Sequence, residues 1–77
     1  NPARDKVTFD YIGANTVDDL VVEIIDVNGR RLFVQNYTPN EERVVETIST
    51  TDLAPALYFI RFTNGKVQRT MKLVITD

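Results

Sequence analysis

Alternation of apolar and polar side chains runs through almost the whole chain. From Lys6 to Ile12, Val7, Phe9 and Tyr11 fall on one side and Thr8, Asp10 and Ile12 on the other, the two-residue period of a strand with one buried face. Gly13-Ala14-Asn15-Thr16, followed by Asp18-Asp19, reads as turn and loop. Leu20 to Val27 is apolar on both faces apart from Glu23 and Asp26, the pattern of a central sandwich strand, and Asn28-Gly29 predicts a type I′ hairpin turn. Arg30 to Tyr37 is the return strand, with Leu32 and Val34 on one face and Phe33 and Tyr37 on the other; it closes at Thr38-Pro39-Asn40.

After the polar rim Glu41-Glu42-Arg43, a fourth strand sets Val44, Glu46 and Ile48 against Val45, Thr47 and Ser49. Leu53 to Ala56 is a shaped corner, because Pro55 fixes its own φ and pushes Ala54 out of the helical region. Leu57 to Thr63 is a strand, Asn64-Gly65 repeats the hairpin signal, and the last strand sets Val67, Met71, Leu73 and Ile75 against Lys66, Gln68, Thr70, Lys72 and Thr76. Arg69 interrupts its apolar face and Val74 its polar one.

Nowhere does a 3.6-residue period persist with caps, so the class is all-β. Six to seven short strands at intervals of roughly 8–12 residues predict a small antiparallel immunoglobulin-like β-sandwich; a barrel of the same strands is the alternative. With 77 residues the chain has room for one domain, residues 1–77. An apolar fraction of 43% against 26% charged residues is that of a folded unit and too apolar for a disordered tail. No apolar stretch approaches the roughly 20 residues of a membrane-spanning helix. The net charge of −2, with dispersed basic residues, gives no footprint for nucleic acid. The opening Asn-Pro-Ala-Arg-Asp-Lys has neither an initiator Met nor a signal-peptide core, which predicts a longer precursor.

Candidate chemistry is sparse. The chain contains no histidine and no cysteine, which removes the commonest general base, the commonest transition-metal ligands and any thiolate nucleophile. The three glycines, at 13, 29 and 65, are isolated in turns and cradle no phosphate. Asp18-Asp19 and Glu41-Glu42 are adjacent pairs whose side chains diverge on an extended chain, a poor calcium spacing. The sequence therefore predicts no cofactor, no metal site and no catalytic residue. The seven Phe and Tyr residues fit either a sugar-stacking platform or a core, and a chain this short needs them for the core. Asn36-Tyr37-Thr38 matches a glycosylation acceptor, a short motif that carries little weight alone.

Several segments taken in order do carry a resemblance. Asn1-Pro2-Ala3 with Asp5 and Val7, then Val22-Glu23-Ile24-Ile25-Asp26-Val27-Asn28-Gly29-Arg30, then Asp52-Leu53 through Leu57-Tyr58-Phe59-Ile60 and a terminal strand with Lys72, together resemble the C-terminal sorting domain of type IX secretion cargo proteins of Bacteroidetes, the Por secretion system. The resemblance covers essentially the whole chain. It implies a non-catalytic sorting signal that directs a fused N-terminal cargo domain across the outer membrane and is then removed by a sortase-like peptidase. Localisation would be periplasmic in transit, then the outer membrane, cell surface or medium. The implied partners are the outer-membrane type IX translocon and the peptidase; nucleic acid is not among them, and a weak edge-strand dimer is a further expectation.

Transferred to matching positions, the resemblance assigns Asn1-Pro2 to the domain entry, Gly29 to the first hairpin turn, Leu53 and Tyr58 to the last corner and strand, and Lys72, Leu73, Val74 and Ile75 to the segment the machinery reads. Ala56 stands where the family usually has glycine, and Ala54-Pro55 reverses the usual Pro-Ala. A left-handed backbone at Ala56 would cost roughly 1–2 kcal/mol. The competing reading is an immunoglobulin-like accessory module of an extracellular enzyme or adhesin, binding carbohydrate or a surface protein through its aromatic side chains.

Overall fold

Strand patterning translates directly into the computed structural model of the chain, which describes residues 2–3 and 5–76. The strands are β1 (Pro2–Ala3), β2 (Lys6–Ile12), β3 (Leu20–Asp26), β4 (Arg31–Tyr37), β5 (Arg43–Ser49), β6 (Ala56–Asn64) and β7 (Val67–Ile75). Asn1, half of the Asn1-Pro2 entry motif, lies outside the described residues. A five-stranded sheet runs in the order β1-β7-β6-β3-β4 and faces a two-stranded sheet, β2-β5. Apart from the short parallel pair β1–β7, every pairing is antiparallel. Placing the second and fifth strands on one sheet and the third, sixth and seventh on the other is the immunoglobulin-like arrangement, so the expected all-β sandwich is the observed fold.

Its core follows the alternation. Phe9 and Tyr11 of β2 and Val44 and Ile48 of β5 meet Leu20, Val22 and Ile24 of β3, Tyr58, Ile60 and Phe62 of β6, and Leu73 and Ile75 of β7. Phe9 packs edge-on to Phe62 at 5.2 Å and to Tyr37 at 5.7 Å, and Tyr11 lies 5.3 Å from Phe62, spacings at which aromatic pairs attract beyond simple area burial. Phe33 and Tyr37 are the β4 residues that pack against this core, while Leu32 and Val34 face outward.

Both hairpin turns differ from the expected type I′. The third strand ends at Asp26, not Val27, and the Asp26 carboxylate accepts the backbone N–H groups of Asn28 and Arg30, each at 2.9 Å. Gly29 N–H donates to the Asp26 carbonyl at 3.0 Å, and Gly29 alone in this loop has positive φ, +84°. The result is a three-residue loop, Val27 to Gly29, closed by the Asp26 N–H on the Arg30 carbonyl at 2.9 Å, and a separate irregularity at Leu32 shifts the β3–β4 register between Ile24 and Ile25. Asp26 has captured the backbone that a type I′ turn would have left free.

In the second hairpin Asn64 is the last residue of β6, opposite Val67, and the loop is Gly65-Lys66. Positive φ at Gly65 (+64°) and not at Lys66 makes it a II′-like turn. A Cβ on Gly65 would also press on the exposed Asp18 carboxylate, which can swing aside, so the positive φ is what favours glycine there.

At the corner before β6, no described non-glycine residue has positive φ. Ala56 is ordinary extended chain opposite Ile75 and carries none of the strain that a left-handed glycine position would impose. Tyr58 is buried and its hydroxyl donates to the Ala54 carbonyl at 2.6 Å, the tyrosine-corner device of immunoglobulin-like sandwiches. Tyr58→Phe should lower the unfolding free energy by about 1–2 kcal/mol, and denaturant titration checks this; an unchanged midpoint would mean that water replaces the bond at no loss.

Candidate functional site

Predicted site residues come from three separate parts of the sequence, and the sheet registers gather them at one end of the molecule. Asp26, just before the Gly29 turn, is opposite Tyr58, and Tyr58 is opposite Leu73. The Gly29 loop, the Leu53–Ala56 corner and the C-terminal end of β7 are therefore neighbours. Their side chains are not equivalent. Tyr58, Leu73 and Ile75 are buried in the core, Leu53 is half-buried against it, and Gly29, Lys72 and Val74 are exposed.

Lys72 and Val74 lie on the outer face of the five-stranded sheet, the face away from β2 and β5. One row across this face runs Arg31, Ile25, Phe59, Lys72, and a second pairs Leu57 with Val74. Ile25 and Phe59 are half-buried, whereas Leu32, Val34, Leu57 and Val74 are exposed. This is a semi-apolar surface bordered by cations. Lys72 makes no ion pair among the described residues, so its ammonium is available to a partner.

On the same face, in the neighbouring row Val34, Glu23, Arg61, sits a feature that the sequence signalled only as an interruption. Glu23 is 7% exposed in the middle of β3, where a carboxylate is tolerated only if paired. Arg61 of β6, directly opposite it, donates to Glu23 Oε1 at 2.9 Å, and Arg31 of β4 donates to Oε2 at 3.2 Å. A charge inside an apolar central strand, with arginines in the two neighbouring strands, was the signal that could have revealed this triad. The Arg61 hydrogen bond is the main cause holding the Glu23 carboxyl below its ordinary value of 4.5, against the opposing effect of burial, and Arg31 adds to it.

Asp10 and Asp26 are also lowered, Asp10 chiefly by the Arg43 side-chain hydrogen bond and Asp26 chiefly by the Arg30 backbone N–H. A carboxylate whose value falls on folding contributes stability that is fully present above its unfolded value and is lost as pH drops through the folded one. The stability contributed by these three carboxylates should thus be flat above their ordinary values and decline as pH falls below them. Glu23→Gln should flatten part of that decline in equilibrium unfolding measured across the acid range; an identical pH profile in the variant would remove Glu23 from the account.

The outer face offers contact chemistry: apolar area, the guanidinium groups held by Glu23, and the Lys72 ammonium. Among the described residues no cluster of His, Cys, Asp and Glu could hold a metal ion. Phe9, Tyr11, Tyr58 and Phe62 are committed to the core, which leaves the half-buried Phe59 as the aromatic on this face and deprives a sugar-stacking platform of most of its rings.

The chain matches the family described as "Secretion system C-terminal sorting domain" over residues 1–76. No curated protein and no solved structure matches it.

Proposed function

The chain belongs to the family of type IX secretion-system C-terminal sorting domains, and from that premise we propose that residues 1–77 form one non-catalytic domain whose outer sheet face, centred on Lys72 and Val74, is read by the outer-membrane translocon. The family itself makes the chain a sorting signal on a cargo protein exported to the cell surface or beyond. The finer steps are our reading: passage of the folded domain through the periplasm, recognition by the translocon, and removal by a sortase-like peptidase as the cargo is released or anchored.

One observation carries the placement of the reading surface. Of the four terminal residues singled out by resemblance, Leu73 and Ile75 are structural, whereas Lys72 and Val74 face outward beside Phe59 and Leu57. A cation with no ion pair among the described residues, next to exposed apolar side chains, gives a partner both charge and buried area. Gly29, at the same end, contributes an exposed turn with open space around its Cα.

Deleting residues 73–77 would remove core side chains, so surface substitutions are the clean probe. In a reporter carrying this domain at its C-terminus, Lys72→Ala and the double variant Leu57→Ser/Val74→Ser should each reduce export severely while thermal melting of the isolated domain stays close to wild type. Normal export of both variants would overturn the assignment of this face. Removal is tested separately by mass spectrometry of precursor and secreted product: loss of the whole segment supports peptidase processing, and retention in the mature protein refutes it.

A further inference from the structure

Among the described residues β7 is an edge strand for most of its length. β1 pairs only with Val74 and Ile75, leaving the outward backbone groups of Val67–Leu73 without a strand partner among the described residues. On the inner side of that edge the two sheets do not close. Val67 and Met71, which the alternation placed on the buried side, are 47% and 62% exposed, and Met71 borders a cleft of about 420 Å³ lined by residues of β2, β6 and β7. Phe9, Tyr11, Phe62 and Leu73 line it, with Ile12 and Met71 exposed at its borders.

Two further observations point to an occupant. The Tyr11 hydroxyl is buried with no hydrogen-bond partner among the described residues, an arrangement that costs roughly 1–3 kcal/mol. The charge is also one-sided. Lys66, Arg69 and Lys72 lie on or beside β7, which contains no acidic residue. Asp10 is the acidic residue lining the cleft, and Arg43 holds it with bonds of 2.9 and 2.7 Å. Arg69 lies over the Tyr11 ring at 4.9 Å and donates to the Ile12 carbonyl at 3.0 Å, a cation fixed at the cleft mouth.

We propose that this edge and its cleft take an extended strand of a partner protein that alternates apolar and acidic side chains. Its backbone would continue the sheet along Val67–Lys72, about 20 Å at the rise of a strand. Its apolar side chains would enter the cleft beside Met71 and the aliphatic part of Arg69 on the inner side, and its carboxylates, turned to the opposite face by the alternation, would meet Lys72 on the outer side. A second copy of the chain is the poorer occupant, since pairing β7 with itself brings cations together with no acid to oppose them. The opposite sheet edge is less suited, because the depression between β4 and β5 is lined by polar residues such as Asn36, Asn40, Glu41 and Glu46.

This inference rests on the reading that the β7 region is what the export machinery recognises, and it specifies the chemistry of the reader. The test uses the 77-residue chain and two synthetic strands roughly eight residues long, one alternating Val and Glu, the other Val and Lys. The Val-Glu peptide should bind at least about tenfold more tightly, slow hydrogen exchange of the outward amides of Val67–Leu73 and perturb Tyr11. Lys72→Glu should invert the preference towards the Val-Lys peptide, and Met71→Lys, at an exposed position on the cleft side, should weaken both.

Equal affinity for the two peptides, protection at β2, β4 or β5 instead of β7, or self-association through β7 without peptide would each overturn the proposal. If Lys72→Ala abolishes export while the peptides show no charge preference, the acidic-strand inference fails and the sorting face stands. If export is indifferent to Lys72 and neither peptide binds, both fail.

Discussion

Asn64→Ala is expected to lower the unfolding free energy by about 3–4 kcal/mol. Asn64 is 2% exposed, and its amide secures the loop between β2 and β3. Its Oδ1 accepts the Asn15 N–H at 2.7 Å, and its Nδ2 donates to the carbonyls of Asn15, Asp18 and Asp19 at 3.3, 3.1 and 3.2 Å. Alanine removes every one of these bonds and leaves the backbone groups of a part-buried loop unsatisfied. Small domains have only about 5–15 kcal/mol in total, so the variant should melt roughly 15–25 °C lower. Asn64→Asp keeps the acceptor but turns a negative charge towards three carbonyl oxygens, and should be no better tolerated. Denaturant unfolding measures both; a loss below about 1 kcal/mol for Asn64→Ala would mean the loop finds other partners.

Phe62→Ala should cost about 3–5 kcal/mol. Phe62 is the ring that both Phe9 and Tyr11 touch, so truncation opens a void where the two sheets meet and removes two aromatic contacts together. Collapse into the void is restricted, because the Ile60 and Asn64 side chains that flank it on β6 are already engaged on the same buried face. Phe62→Leu, which retains most of the volume, should cost about 1–2 kcal/mol. Equal effects of the two substitutions would show that ring packing contributes little at this position.

Sequence reading captured what two-residue periodicity governs and missed what individual polar side chains decide. The alternation of Val7, Phe9 and Tyr11, and of Val44 and Ile48, identified the inward faces of β2 and β5 because burial on one face imposes that pattern. Asn64 looked like a turn former because Asn-Gly commonly occupies hairpin turns, yet shifting the loop by one residue frees its amide to act as a buried bracket. Asn28 lost its expected conformation to a carboxylate two residues earlier. Arg69, seen as a flaw in an apolar face, marks the place where that face is left uncovered. Of the candidate site, the position of Lys72 and Val74 on one strand was legible, whereas their row-mates Arg31, Ile25 and Phe59 required the cross-strand registers.

The unequal sheets imply an order in which the molecule opens. β6 is bracketed by full ladders to β3 and β7 and is fastened by Tyr58 at one end, Arg61 at the middle and Asn64 at the other. Among the described residues β2 and β5 form a backbone ladder only with each other and adhere to the larger sheet through side chains, including the Arg69 guanidinium on the Ile12 carbonyl. The pair would peel away first, as a unit, leaving a twisted ribbon of β3, β6 and β7 as the last structure to yield.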